Sequence, residues 1–446
     1  MNDVINPFFT AEELNKLATE SNFVQRKGKI NGHLFFDLIV FHSEDLKSQS
    51  LNDLSATLKD RHHIDIQKQS LHERFNNNAL LFLKKALEKL LRNRLNQKSA
   101  LPYGPCRFNR ILIKDSTCFQ IDESLVEYYP GSGGSGSKAS IRIQFEYDLL
   151  SGSINDLSVS AFNEQDAKNS LATIDLTCEG YLIIRDLAYM GINVLKAAEL
   201  RKVIYLCRAN PTTIIFEKIE DRFEKIDFMK LAGFMRSHEI SCIEKEVYLG
   251  GEEKLKTRMI IYLMPEEEYA KRIRKAEQNN KKKGGGQVSK EYKARAALNL
   301  FITNGPEELI PAAKIWNYYR LRWQIELIFK VWKSICKIEK VKKVKKHRLE
   351  CYIYSKLFLI VLGWQILWHT ARHLFSQNGK ALSFFKASKT LLQKKIGELR
   401  ELFILKKGNL NQFLENFYEL SKTNHILEKR KQVPSSLELL LQCICF

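Results

Sequence analysis

The sequence predicts an α/β protein: a mixed sheet with flanking helices, interrupted by a β-rich insertion and bounded by helical N- and C-terminal regions. Three observations predict it. Leucines recur at helix spacing in the first hundred residues, short apolar runs and one strictly alternating segment occupy the middle, and the last hundred residues read as helical throughout.

Residues 1–100 form the helical N-terminal region. Leu51, Leu54 and Leu58 repeat at helix spacing, a break falls at His62 to Ile66, and a second amphipathic stretch runs from Gln67 through Leu91. Helix, short turn, helix is the outline of a helix-turn-helix that could read DNA bases; an ordinary helical bundle has the same outline, and both readings stand. Residues 101–210 change period. Ile111-Leu112-Ile113 is a short strand ending at Lys114-Asp115. The stretch GSGGSGSKAS (131–140) reads as a flexible or ligand-facing loop. Ile141, Ile143, Phe145 and Tyr147 then alternate with Arg142, Gln144 and Glu146, as in a strand with one polar face. Tyr181 to Ile184 is a strand ending at Arg185-Asp186, and Val203 to Cys207 one ending at Arg208. Residues 211–297 read as the insertion, with strands at Ile243 to Leu249 and Met259 to Met264 and an exposed basic loop at QNNKKKGGGQ (278–287). Residues 298–348 resume the core with Leu298 to Thr303 and a helix carrying Glu326; residues 349–446 are the helical C-terminal region, which would complete the core or supply a dimer contact.

Charge narrows the partners. The chain has 446 residues, with 71 Lys+Arg against 51 Asp+Glu and a formal net charge of +20. Such an excess favours a polyanion, because each phosphate contact releases condensed counterions. Nucleic acid comes first and an anionic membrane surface second. The longest apolar run, Leu357 to Trp368, is too short to span a bilayer and is expected as a buried helix, so no membrane partner is expected. Met1 to Asn22 reads as no secretory signal. The nine cysteines are scattered without a C-x-x-C pair, which favours reduced thiols in a cytosol over a zinc or disulfide scaffold.

Asp115 and Asp186 each directly follow a short hydrophobic strand, and in open α/β sheets the functional crevice lies outside strand ends. Many strand-end aspartates are merely turn formers. The segment WNYYRLRWQIELIFKVWKSICK (316–337) is more informative. Read as one helix at 100° per residue, it places Tyr319, Arg322, Glu326 and Lys333 within about 60° of arc. Leu321, Ile325, Ile328, Val331 and Trp332 fall on the opposite side, facing a core. One face thus carries a carboxylate between two cations and a phenol. Surface ion pairs produce the same pattern.

This spacing, Tyr319-x2-Arg322-x3-Glu326-x6-Lys333, resembles the Y-(2)-R-(3)-E-(6)-K signature of the IS-four family of bacterial insertion-sequence transposases. IKDSTCF around Asp115 is similar to the family's first-Asp motif. IIRDLAYM around Asp186 resembles the second, usually D-R-G-[FY], with Leu187-Ala188 replacing Arg-Gly and Tyr189 kept. GSGGSGSKASIRI resembles the loop and strand between them, and the resemblance spans roughly residues 15 to 370.

The resemblance implies a DDE transposase with an RNase H-like core and the triad Asp115, Asp186 and Glu326. These three would hold two Mg2+ ions per active site, with Mn2+ able to substitute. The partner would be double-stranded DNA, as terminal inverted repeats and as target, bound by a homodimer on paired ends in a bacterial cytoplasm, at the nucleoid. Residues 1–100 would then bind DNA ends. Tyr319, Arg322 and Lys333 would contact DNA at the scissile bond; Arg208 and the tract Lys342, Lys343, Lys345 and Lys346 are further phosphate candidates, each with a plain surface reading beside it. An RNase H-like nuclease without strand transfer, and a non-catalytic relic that still binds DNA ends, use the same residues.

Overall fold

The computed structural model describes residues 9–42, 46–95, 106–132, 138–164, 166–209, 214–282, 284–428, 434 and 436–444. The glycine-serine stretch 131–140 lies partly outside them, at 133–137.

Five helices open the chain: α1 Ala11–Glu20, α2 Gly32–Phe41, α3 Leu51–His62, α4 Lys68–Arg74 and α5 Asn77–Leu95. Thr10 with Glu13 and Ser50 with Asp53 form reciprocal capping boxes that start α1 and α3. Leu54 and Leu58 are buried, as their spacing requires. The stretch from Gln67 through Leu91 is two helices rather than one: the chain breaks at Phe75-Asn76, and the Asn76 side chain accepts from the Ala79 N–H to begin α5.

Ten described strands follow: β1 Arg110–Gln120, β2 Ser140–Asp148, β3 Ile154–Ala161, β4 Tyr181–Arg185, β5 Ile204–Arg208, β6 Ile215–Ile219, β7 Arg222–Lys225, β8 Cys242–Leu249, β9 Leu255–Leu263 and β10 Leu298–Thr303. They form one sheet in the order β3-β2-β1-β4-β5-β10-β9-β8-β6-β7. β1, β4 and β5 are parallel, and β2 and β3 run as an antiparallel meander beside β1. Helices α6 (Asp166–Ile174) and α7 (Ile192–Leu200) make the crossovers. That order and polarity are those of an RNase H-like core. The strands of the segment 211–297 continue the same sheet, because β10 pairs with β5 on one side and β9 on the other. The segment also holds α8 (Phe228–Ser237), α9 (Glu266–Lys282) and α10 (Lys290–Ala296). The basic stretch 278–287 is therefore half helix, since α9 continues to Lys282.

Beyond β10 come α11 (Ile315–Arg320), α12 (Trp323–Ser334), α13 (Lys346–Asn378), α14 (Phe384–Lys389), α15 (Ile396–Phe403), α16 (Leu410–Asn424) and α17 (Ser436–Ile444). α13 is long and apolar enough to cross a membrane, yet 94% of its apolar window is buried inside the chain, against α5, α2 and α16. It is a core helix.

Strand alternation divides the sheet into two faces. Ile111, Ile113, Ile184, Leu206 and Phe301 join a core with α11–α13, whereas Leu112, Ile183, Cys207 and Ile302 join a second core with α7 and α8. Towards the edge the second face turns polar. Lys114 donates to Asp156 at 2.8 Å and Thr173 at 2.9 Å. Arg185 pairs with Glu146, whose other oxygen accepts from Asn155 at 2.6 Å. Lys114, Arg185 and Glu146 are fully buried.

A buried ion pair is strongly destabilising to break and close to neutral to replace as a unit. Arg185→Ala is therefore expected to cost about 3–5 kcal/mol in denaturant unfolding, and the double change Arg185→Met with Glu146→Met to recover most of that loss. An Arg185→Ala protein as stable as wild type would show that this pair does not hold the edge of β4.

Candidate active site

β1 does not end at Asp115. It continues to Gln120 because β2 pairs with it throughout, including Asp115↔Phe145. On its other side the parallel ladder with β4 stops at Lys114↔Arg185. Asp115 is thus a mid-strand residue at the point where its neighbour strand runs out, and Asp186 is the residue that leaves β4 there. Ile113 and Ile184 belong to the α12-facing core, so two residues on, Asp115 and Asp186 lie on that same face. Phe145 packs edge-on against Phe329 and Trp332 of α12 and seats that helix across the strands.

The expected single helix over 316–337 is two. α11 ends at Arg320 and α12 starts at Trp323, with i→i+3 bonds from Leu321 to Tyr318 and Arg322 to Tyr319 at 3.1 Å. This tighter turn sends Tyr319 and Arg322 to different partners. The Tyr319 hydroxyl donates to Asp186 at 3.2 Å. Arg322 donates to Asp115 at 2.6 Å and to Glu326 at 2.9 Å. Asp115 and Glu326 therefore share one guanidinium, and Asp186, held by Tyr319, lies near enough for its charge to reach Asp115. Glu326 is 42% exposed, against 20% for Asp115 and 9% for Arg322, so the cluster opens on the Glu326 side.

Electrostatics follow from that crowding. Burial raises the Asp115 carboxyl most; Arg322 and the Ser116 N–H pull it back down; Asp186 and Glu326 push it up again, to about 6. Burial and the Asp186 charge also raise Tyr319, while Arg322 and Arg208 oppose them. Both Arg322 and Tyr319 are consequently hydrogen-bond donors near neutral pH.

The remaining expected residues lie further out. Arg208 sits at the end of β5, register partner of Phe301, and donates to Asn299 at 2.9 Å; its charge reaches Tyr319. Lys333 does not touch the acids. It donates to the Cys118 carbonyl at 3.1 Å, further along β1, and lines a cavity of about 830 Å³ with Lys47, Lys330, Lys337 and Lys340. The tract beyond is not a helix end, since α13 begins only at Lys346. The Lys342 charge reaches Asp53, the Lys343 charge reaches Asp122, and Lys345 takes the N-cap position of α13. Lys346 lies 3.9 Å from Glu350 and over the Tyr128 ring.

Sequence reasoning missed Lys114, Glu146, Asp156 and Arg185. The signal was present: a basic residue directly precedes each aspartate, and alternation must bury it on the opposite face. Lys330, outside the Tyr-Arg-Glu-Lys spacing, shares the cavity with Lys333.

The Transposase DDE domain family model matches residues 107–362, more than half of the chain and all of the elements that carry the cluster. The chain belongs to the DDE transposase family. It is 32% identical over 440 residues to the transposase of insertion sequence element IS231E of Bacillus thuringiensis subsp. finitimus, covering 95% of this chain and 90% of that protein. It is 31% identical over 403 residues to the transposase of IS1151 of Clostridium perfringens, covering 87% and 85%. A piggyBac transposase synaptic complex with hairpin DNA aligns over 98% of this chain and 85% of its own, with a TM-score of 0.45 and 12% identity. The protein is a DNA transposase, and as a member of this family it is a metal-dependent enzyme.

The raised carboxyl gives the transposase a pH signature. A folded-state value above the ordinary value of about 4 means the folded protein favours protonated Asp115. That stabilising contribution is complete below about 4 and is lost as pH rises through about 6. Relative to Asp115→Asn, the wild-type protein should lose thermal stability as pH rises across this window. A difference that stays flat there would place Asp115 in ordinary solvent.

Proposed function

We propose that this transposase serves an insertion sequence of the IS-four family, binding the element's terminal inverted repeats, cleaving DNA there and joining the ends to a target. The observation that carries the reading is the gathering of Asp115 and Glu326 on Arg322 and of Asp186 on Tyr319, on the face where β4 ends. The Y-(2)-R-(3)-E-(6)-K spacing supports the family assignment, and the departure at Leu187-Ala188 leaves Asp186 in place.

Asp115, Asp186 and Glu326 are the catalytic residues and ligands. Their chemistry fits hard divalent cations: three carboxylates gathered together favour a cation among them, and Asp115 and Glu326 already share the Arg322 guanidinium. When bound, two Mg2+ ions, or Mn2+ in their place, would activate a water or a 3′ hydroxyl and stabilise the leaving oxygen of an in-line displacement. Tyr319 orients Asp186. Arg322 offers the phosphodiester a planar, charge-assisted donor beside the scissile bond. Lys333 and its neighbouring lysines hold the backbone of the flanking DNA, and Arg208 and the tract Lys342, Lys343, Lys345 and Lys346 extend the phosphate contacts. Residues 1–100 bind DNA ends, residues 101–210 and 298–348 form the catalytic core, and residues 211–297 are its insertion. Cutting two ends calls for a homodimer on paired ends, in a bacterial cytoplasm. α13 is packed within its own chain, so the dimer contact lies elsewhere than on the apolar face of that helix.

The test is incubation of the purified transposase with DNA carrying the element's ends, with and without Mg2+. Asp115→Asn, Asp186→Asn and Glu326→Gln are each expected to abolish strand cleavage and to leave end binding largely intact. Arg322→Ala and Lys333→Ala are expected to slow cleavage by about one to three orders of magnitude, with an unchanged melting temperature for Lys333→Ala and a lowered one for Arg322→Ala, which leaves Asp115 and Glu326 without their shared cation. Full cleavage by any carboxamide variant in Mg2+ would refute the triad.

Binding is expected to weaken steeply with salt. Replacing Lys342, Lys343, Lys345 and Lys346 by Ala should flatten the slope of log affinity against log salt by roughly one unit per lost phosphate contact. An unchanged slope would make that tract a solvated surface.

A further inference from the structure

We propose that Asp37, His42 and His62 form a second metal site, remote from the carboxylate cluster in the chain and different in ligand chemistry, for one divalent ion of the Zn2+ type. Asp37 lies in α2, His42 is the residue that ends α2, and His62 is the last residue of α3. His62 Nε2 is 3.1 Å and His42 Nε2 3.9 Å from the two oxygens of Asp37. All three ligand atoms lie within 4.8 Å of one another. Ligand atoms around a tetrahedral zinc, each about 2.0–2.2 Å from the ion, stand roughly 3.4 Å apart, so small side-chain rotations would close the set.

Two features point to an ion rather than to a settled hydrogen-bond network. Among the described residues the buried His42 Nε2 has no hydrogen-bond partner, and the buried His62 Nε2 has the Asp37 carboxylate beside it at 3.1 Å. The two histidine side chains are only 10% exposed, and Asp37 is fully buried. A buried ring nitrogen without a partner is costly as it stands.

Arg400 of α15 completes the arrangement. Its Nε and Nη2 donate to the two Asp37 oxygens at 2.8 Å and 2.7 Å. Each carboxylate oxygen accepts in two directions, so this fork fixes the carboxylate from behind and leaves its other lone pairs towards the histidines. The Arg400 and Arg61 charges oppose a further cation, and His33 adds to them at His62. Ligand binding must therefore come from nitrogen coordination rather than from excess negative charge. That selects a borderline ion over Mg2+, which prefers an all-oxygen shell. Bound there, the ion would join α2 and α3 near the start of the chain to α15 near its end.

The test uses the full-length transposase stripped of metal, titrated with Zn2+ and separately with Co2+. The expected result is a rise in melting temperature on the order of 5 °C at a hundredfold excess of Zn2+ over its dissociation constant. The Co2+ complex should show ligand-field bands of nitrogen and oxygen coordination without a thiolate charge-transfer band. His42→Gln and His62→Gln should each remove the rise and the bands, while Glu326→Gln retains both and so separates this site from the catalytic reading. A wild-type protein that shows neither effect overturns the proposal, as does a rise that survives both histidine changes. A thiolate band would assign the ion to cysteine and overturn it equally. Should the histidine variants fail to fold, the wild-type Co2+ spectrum alone decides, because absent nitrogen-ligand bands refute the site.

Discussion

Arg322 holds Asp115 with one terminal nitrogen and Glu326 with the other, and the rest of the site is organised around that bridge. Three carboxylates gathered at the edge of an apolar core repel one another and lose solvation, which is why Asp115, more enclosed than Glu326, has its pKa raised to about 6. The guanidinium suits this position because it is planar, stays charged when buried and spans two acceptors. The short i→i+3 turn at Leu321-Arg322 aims it there: a helix continuing evenly from α11 would have left Tyr319 and Arg322 close to one line, instead of reaching separately for Asp186 and Asp115.

The bridge requires the two strands to hold their register, and the fold secures that on the opposite face. Lys114 and Arg185 each immediately precede an aspartate, are register partners, and are fully buried where the aspartates are not. Their partners Asp156 and Glu146 come from β3 and β2, and Ser170 and Thr173 of α6 close the network. A slip of β4 by one residue would turn Arg185 towards the acidic cluster and Asp186 towards Glu146 in the buried network. Glu146 would then be buried without its cation and beside a second carboxylate, so the same residues that make the site costly to assemble also make its register hard to mistake.

Much of this was legible in the sequence because it is periodic. The alternation from Ile141 to Tyr147 gave β2, the apolar runs gave β1, β4 and β5, and the leucine spacing gave α3. The positions of Asp115, Asp186 and Glu326 were legible through motif spacing. What was not legible depends on contacts between segments. The extension of β1 past Asp115 comes from pairing with β2, which keeps a polar stretch in strand form. The break in the 316–337 helix has no glycine or proline to announce it. The continuity of β6–β9 with the core sheet depends on β10 fitting between β5 and β9, an arrangement that no local pattern encodes.

The four residues of the Tyr-Arg-Glu-Lys spacing separate into two structural groups, although one helical wheel places them together. Tyr319, Arg322 and Glu326 belong to the acid cluster, through Asp186 and Asp115. Lys333 lies two turns beyond Glu326, bonded to a β1 carbonyl and facing a cavity shared with four other lysines. A side chain so placed acts on a different stretch of any strand that crosses the site. Its charge is fixed by the Cys118 carbonyl and lies 3.8 Å from Glu339, so it is oriented but not cancelled. The basic side chains are divided in the same way: Lys342, Lys343 and Lys346 lie towards Asp53, Asp122 and Glu350, whereas Lys333 and its neighbours face the cavity beside α12. A total charge describes attraction to a polyanion at long range; the direction in which these lysines point determines where its backbone comes to rest.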